Sequence, residues 1–337
     1  MSQPKVSLRH IATQLGVSVK TVSGALHNRS IRMSDETRER VRSLAAELGY
    51  SPNLIARGMR QGVMPIIGLI GDGLITQPFA TEIMRSLDNV LRTHGLSVLV
   101  TDIGGRRRIE HGIAELQRLM PRDIAYASMY HRVVALPPEA RGNVHLLINC
   151  RAERDEVPAL VPAEEQAAFA ITDHLIERGR RAIAFLNLPG LLAGEKRERG
   201  FRAAHDTHGL VVDEAWLRPA TRGASYSDRA RSLVYDWIAQ WTASPRQPDA
   251  ILCGNDRVAL EVYGALRRAG LRIPDDVAVA SFDNQVEIAV RLDPPLTTMA
   301  LPHREMGRRA GEILAGLRTP RRTLEEIPFR LVERASA

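Results

Sequence analysis

Near its start the chain alternates apolar and polar positions at helical spacing. Leu8, Ile11, Ala12 and Leu15 recur at i, i+3, i+4 and i+7, which is one face of a helix. Ser7 stands where an N-cap belongs, and Gly16 where the left-handed end of a helix favours a residue without Cβ. Ser18 is placed to cap a second short helix whose buried face is Val19, Val22 and Leu26. A polar, basic loop over 27–33 follows, and Ser34 caps a third helix. Asp35 and Glu36 lie in its first turn, where the dipole favours anions, and Val41, Leu44, Ala45 and Leu48 face inward up to Gly49. Pro52 breaks the pattern, and Asn53 opens a very short helical segment to about Arg60. Gly58 inside it costs roughly 1 kcal/mol relative to Ala. So short a segment is marginal in water, which predicts a linker that orders only when something holds it.

From Met64 the pattern becomes short apolar runs alternating with helical stretches. Strands are expected at 66–70, 96–101, 124–128, 144–149, 182–187, 250–253 and 277–282. Helices are expected at 80–94, 163–178, 196–208, 226–241, 256–269 and 303–317. Buried strands alternating with helices predict parallel α/β sheets. The polar, Pro-containing stretch 151–162 divides the strands into two groups and reads as the first crossing between two doubly wound lobes. Ligands in such sheets bind beyond the carboxyl ends of the strands, here in the cleft between lobes.

At 337 residues the chain suits two or three domains. Lys5, Arg9 and His10 are not followed by an apolar stretch, so no export signal is expected, and the most apolar runs are too short to span a bilayer. Cys150 and Cys253 are the only cysteines. One bridge between them stays open, but both end apolar runs, which favours buried free thiols and a cytoplasmic location. The charge is uneven. Residues 1–62 hold ten Lys/Arg against four Asp/Glu, so +6 of the net +7 lies there and the remainder carries +1. That asymmetry suits a polyanion-binding head on a near-neutral body. Two short helices around a Gly-containing turn are the helix-turn-helix plan. The polar face left on the second helix, Ser18, Lys20, Thr21 and Ser23, suits phosphates and base edges. An ordinary helical hairpin inside a larger core would leave that face unexplained.

With head, linker and body in place, the sequence resembles the lactose/galactose repressor family of bacterial transcription regulators. The motifs are G-V-S-V-K-T-V-S (16–23), D-E-T-R-E-R-V (35–41), L-G-Y-S-P-N-L-I-A-R (48–57), D-H-L-I-E-R-G-R-R-A-I-A-F (173–185), G-N-D-R-V-A (254–259), I-P-D-D-V-A-V-A-S-F-D (273–283) and P-P-L-T-T (294–298). The resemblance implies an all-α helix-turn-helix head at 1–50, a hinge helix or linker at 51–63 and an α/β body at 64–337. The body would be two doubly wound parallel-sheet lobes of periplasmic-binding-protein type. Lobe 1 would comprise about 64–161 and 293–320, and lobe 2 about 162–292 and 321–337.

It further implies a homodimer or larger assembly on near-palindromic double-stranded operator DNA, with no membrane partner and no cofactor beyond a small-molecule effector. DNA contact is expected from Ser7, Ser18, Val19, Lys20, Thr21, Ser23, His27, Asn28, Arg29, Tyr50, Asn53, Ala56, Arg57 and Met59. Lys20 would donate to guanine and Val19 would meet a thymine methyl. Met59 would wedge into the central base step. Gly24 stands where many relatives carry Arg. Effector contact is expected from Asp72, Phe79, Tyr126, Ser128, Arg197, Tyr226, Asn255 and Asp283, with Tyr130 beside them. Asp, Asn and Arg pair with vicinal hydroxyls, and aromatic faces cover the apolar side of a pyranose. Ala163-Glu164 departs from the Asp-Asn pair that commonly opens the second lobe, Arg122-Asp123 from Asp-Gly, and Gln77 from Asn. A sugar or sugar derivative is the first expectation for the effector, and a purine or other metabolite the second.

A periplasmic binding protein and a carbohydrate enzyme are the rival readings. The basic head argues against the first. Against the second, the chain lacks a G-x-G-x-x-G after a strand, a P-loop and a G-x-S-x-G elbow. His205-x-x-His208 is expected on a solvated helix face rather than at a metal.

Overall fold

The computed structural model describes residues 6–26, 33–50, 63–74, 81–104, 108–154, 156–223, 230–320 and 323–337. The chain falls into two compact units, Met1–Met64 and Pro65–Ala337.

The first unit holds helices α1 (Leu8–Leu15), α2 (Val19–Leu26) and α3 (Asp35–Glu47). The local signals act as expected. Ser7 accepts from the His10 N–H at 3.2 Å, Gly16 turns left-handed at φ 65°, Ser18 accepts from the Thr21 N–H at 3.0 Å, and Ser34 accepts from the Thr37 N–H at 3.2 Å. Ile11, Ala12, Val22, Ala25, Val41 and Ala45 close one small core. Val19 departs from expectation. It is 44% exposed, because α2 turns Val22 and Ala25 inward and leaves its first turn in solvent.

The second unit is built on two six-stranded sheets. The first has the order β13-β5-β4-β3-β1-β2, and the second β14-β12-β11-β10-β6-β7. The first lobe takes β1 (Met64–Asp72), α4 (Thr81–Thr93), β2 (Ser97–Asp102), α5 (Ile109–Gln117), β3 (Pro121–Val134), α6 (Pro138–Arg141), β4 (Val144–Ala152) and β5 (Ala159–Pro162). The second takes α7 (Glu164–Glu177), β6 (Ile183–Asn187), α8 (Leu192–Thr207), β7 (Leu217–Pro219), β8 (Thr221–Arg222), β9 (Arg231–Ser232), α9 (Val234–Thr242), β10 (Ala250–Cys253), α10 (Asp256–Arg268), β11 (Ala278–Asp283) and α11 (Val286–Ala289). The chain ends in β12 (Thr297–Ala300), α12 (His303–Leu314), β13 (Leu324–Ile327) and β14 (Arg330–Val332). β1–β2, β3–β4, β4–β5, β5–β13, β6–β7, β6–β10, β10–β11 and β11–β12 pair in parallel, and β14 pairs antiparallel with β12.

Several expectations need correction. The polar stretch 151–162 contains β5, whose four residues are all buried between β4 and β13. A four-residue strand ending in Pro falls below any periodicity signal. The lobe assignment of the C-terminal segments is partly exchanged: β12 belongs to the second sheet, α12 packs on α4 of the first lobe, and β13 belongs to the first sheet. The chain therefore crosses between lobes three times, at 162–164, 300–303 and 327–330. The helix expected at 226–241 starts at Val234, because Arg231 and Ser232 form β9 against β8 and the Ser232 hydroxyl accepts from the Val234 N–H at 3.2 Å; residues 226–229 lie outside the described residues. The helix expected from 196 begins at Leu192, which places Arg197 in its second turn.

Glycine decides one close approach. A Cβ on Gly200 of α8 would run into the Glu165 carbonyl oxygen and lie 2.8 Å from the Phe169 nitrogen of α7. Gly200→Ala is expected to lower stability by about 2–3 kcal/mol. Gly142→Ala, where a Cβ meets nothing within 4 Å, is expected to be near neutral. Urea unfolding of the two variants checks this; equal midpoints would contradict the packing.

Candidate functional site

The carboxyl ends of the two sheets face a cleft with a cavity of about 40 Å³. It is lined by Met129, Tyr130, His131, Asn149, Glu164, Leu188, Leu191, Ala193, Arg197, Asp283, Leu301 and His303. It sits where the chain crosses at 162–164 and 300–303, so Glu164, Leu301 and His303 come from the crossings themselves.

Arg197 is its centre. The side chain is 3% exposed. Nε donates to Glu164 Oε2 at 2.6 Å, Nη1 donates to the Gly254 carbonyl at 2.5 Å, and the guanidinium lies over the Phe282 ring at 4.2 Å. Glu164 is buried as well. Burial alone would raise its carboxyl pKa, but the Arg197 guanidinium with His131 beside it holds it below the ordinary range.

Asp283 ends β11 with φ 108°, a left-handed conformation that strains a residue with a side chain. The turn is held on several sides. The Gln285 N–H donates to Asp256 Oδ2 at 2.6 Å, Asp256 also accepts from the hydroxyls of Ser281 and Thr298, and Arg334 donates to Asn284 Oδ1 at 2.7 Å. Burial pushes the Asp283 carboxyl up to about 7, opposed by Arg197 and reinforced by Asp256. Burial likewise pushes Asp256 up to about 6.

The first lobe contributes through an irregular strand pair. Between Ala127↔Ile148 and Arg132↔Cys150, residues 128–131 of β3 face only Asn149 of β4. Asn149 is left-handed at φ 58°, and its amide donates to the carbonyls of Ser128 at 3.0 Å and Met129 at 2.9 Å. Such a bulge re-aims side chains. Here it presents Tyr130 and His131 to the cavity. His131 is 3% exposed, neither ring nitrogen has a hydrogen-bond partner, and Nδ1 lies 3.8 Å from Glu164 Oε1.

Of the residues expected at the effector site, the cavity brings together Arg197 and Asp283, with Tyr130 beside them. Asp72 is drawn elsewhere: it accepts from the Tyr126 hydroxyl at 2.8 Å and pairs with Arg132. That closed triad holds Asp72 and Tyr126 off the cavity lining. Ser128 is buried with its hydroxyl unpartnered, also off the lining. Asn255 caps α10, accepting from the Val258 N–H at 2.9 Å. Phe79 and Tyr226 lie outside the described residues. His131, Asn149, Glu164 and His303 were missed. The one available signal was a polar Asn149 interrupting an apolar run, together with Glu164 itself, which read only as a departure. His205 is not on a solvated face: it is buried, with Nδ1 against the Phe201 carbonyl at 2.9 Å, while His208 pairs with Asp173 at 2.6 Å. Cys150 and Cys253 are buried free thiols, and burial pushes the Cys150 thiol up to about 12.

On the head, Ser18, Val19 and Lys20 are exposed on the first turn of α2, and Thr21 and Ser23 are half-buried. Gly24 is buried. Ser7 is exposed and caps α1, and Tyr50 packs on the head's core. His27, Asn28, Arg29, Asn53, Ala56, Arg57 and Met59 lie outside the described residues.

A helix-turn-helix unit followed by a two-lobed α/β unit with a polar cavity between its sheets defines a ligand-responsive DNA-binding regulator. Residues 7–53 match the bacterial regulatory proteins of the lacI family, and residues 172–337 match the periplasmic binding protein-like domain. The sucrose operon repressor of Escherichia coli is 33% identical over 336 residues, covering 98% of this chain and 99% of that protein. A solved LacI-family regulator from Rhizobium etli is 30% identical with a TM-score of 0.73, over 81% of this chain and 99% of that one. The lac repressor dimer bound to operator and the anti-inducer ONPF has the same fold, with a TM-score of 0.73, 23% identity and 99% of each chain covered. The chain belongs to the lacI family and is a DNA-binding transcriptional regulator, not an enzyme. Among the described residues no helix is long and apolar enough to cross a membrane.

The Asp283 carboxyl supplies a pH prediction. Its pKa is raised on folding, so the stability it contributes is complete in acid and lost as pH rises through about 7. Asp283→Asn is expected to be more stable than wild type by a few kcal/mol at pH 8, with the difference closing towards pH 4. Thermal melts across that range check it; a pH-independent difference would contradict the burial argument.

Proposed function

We propose that this regulator is a cytoplasmic repressor of carbohydrate-metabolism genes. It binds a near-palindromic operator as a homodimer and is released when a small saccharide enters the cleft around Arg197 and Asp283. The observation that carries the reading is that cleft, lined by the buried Arg197, in a chain that also carries an exposed Lys20 on its second helix. Sucrose is the first saccharide to test, because a repressor named for the sucrose operon matches this chain over nearly its whole length.

In this scheme Ser18, Val19, Lys20, Thr21 and Ser23 face the major groove, with Ser7, His27, Asn28, Arg29 and Tyr50 towards the backbone. Asn53, Ala56, Arg57 and Met59 act in the minor groove as paired hinges. Arg197 and Asp283 hold ligand hydroxyls directly. Asn255, Asp72, Tyr126 and Ser128 support the walls, and Phe79 and Tyr226 are assigned to effector contact by the family resemblance alone. Effector binding changes the relative lobe orientation and thereby hinge pairing, with a coupling of about 1–3 kcal/mol.

Three outcomes are expected. Lys20→Ala relaxes preference at one base position by about 1–3 kcal/mol in a selected-site library; an unchanged consensus would remove Lys20 from base reading. Operator affinity falls steeply with salt, and Arg197→Ala keeps operator binding while losing release by sucrose, both read by gel shift. Release by sucrose that survives this substitution would place the effector elsewhere.

A further inference from the structure

Among the described residues the cavity lining holds one permanently charged cation, Arg197, and Glu164 already balances its charge. Arg197 spends Nε on Glu164 at 2.6 Å, Nη1 on the Gly254 carbonyl at 2.5 Å and its face on Phe282 at 4.2 Å. The lining adds a second carboxyl group, Asp283, so it offers an anion no further cation among the described residues. The two lining histidines do not reverse this. His131 faces Glu164 Oε1 at 3.8 Å, and His303 is already engaged. At the outer continuation of the cleft, Glu82 pairs with both Arg85 at 3.0 Å and Arg304 at 3.2 Å. Arg257 acts on the Tyr130 hydroxyl but does not line the cavity.

Resting on the reading of this cavity as the effector site, we infer that Glu164 is a specificity-determining residue: by holding Arg197 it excludes phosphorylated effectors and leaves the cleft to neutral, unphosphorylated saccharides. The physical ground is the cost of burying an anion without a free cation. A phosphate entering here would add a second buried anion beside a guanidinium whose charge Glu164 already balances, which costs several kcal/mol. A neutral sugar makes no such demand. It meets the two unpartnered nitrogens of His131, the Tyr130 hydroxyl and Asp283, all groups that suit hydroxyls. The same residue that departs from the common Asp-Asn pair at the opening of the second lobe therefore sets the charge the cleft accepts.

The experiment uses the full-length protein, with inorganic phosphate, sucrose and sucrose 6-phosphate as probes in thermal-shift and calorimetric titrations at constant ionic strength. Wild type is expected to gain no more from phosphate than from chloride, and to bind sucrose at least tenfold more tightly than sucrose 6-phosphate. Glu164→Gln, which keeps an acceptor for Arg197 but removes the charge, is expected to gain phosphate binding at least tenfold. That gain is expected to disappear in the Glu164→Gln/Arg197→Ala double variant, which separates the cleft from phosphate sites on the head. The inference is overturned by wild-type phosphate binding that is lost in Arg197→Ala, by a folded Glu164→Gln with no such gain, or by equal affinity for the two sugars. Should Glu164→Gln fail to fold, the wild-type phosphate and paired-sugar titrations decide. If neither sugar binds wild type, the saccharide reading fails by itself, and the phosphate measurements still judge Glu164.

Discussion

A guanidinium buried to within a few per cent of complete exclusion from water must be paired, and in this protein the pairing of Arg197 with Glu164 organises the second lobe. Isolated burial of either ion would be prohibitive, and removal of one partner strands the other. To satisfy both, four segments converge: the start of α7, the second turn of α8, the carbonyl at Gly254 after β10, and Phe282 at the end of β11. Close approach of α8 to α7 is needed for this, and Gly200 permits it. Gly254 is similarly confined, since a Cβ there would lie 2.7 Å from the Leu188 side chain.

The pair also ties the lobes to each other. Glu164 stands immediately after the first crossing, and its second oxygen looks towards His131, which the β3 bulge carries from the other sheet. Nearby, Lys196 of α8 reaches Glu326 of β13 at 2.6 Å, again from one lobe to the other. A ligand that competes for these groups exchanges lobe-to-lobe contacts for its own, which gives an effector a physical handle on lobe orientation. The strained turn at Asp283 belongs to the same design. Its backbone cost is tolerated because Asp256 and Arg334 hold the residues around it.

The head works on a different principle. It is a small unit closed by six buried side chains, and its helix ends are held by serine caps and a left-handed glycine. These caps and this core lie within residues 6–50, so the exposed face of α2 is set by local sequence, whereas the cavity is set by contacts between residues far apart in the chain.

That contrast decides what could be read from the sequence. Caps, helical periodicity and apolar runs are short-range signals, so the three head helices, most strands of the body and the two-lobed α/β plan followed from residues 8–26, 34–48 and the runs after Met64. The uneven charge pointed to the head, and the motifs picked out Arg197 and Asp283. Other outcomes depended on which distant residue stood opposite. Asp72 met Arg132 and Tyr126 and was thereby held off the cavity lining, Asn149 met the bulged residues of β3, and Glu164 met Arg197. The exchange of β12 and β13 between sheets was equally hidden, since a short strand carries no label for its partner. Periodicity and capping are properties of neighbours along the chain and survive in the sequence alone. The pairing of buried charges is a property of neighbours in space, and only the folded chain chooses them.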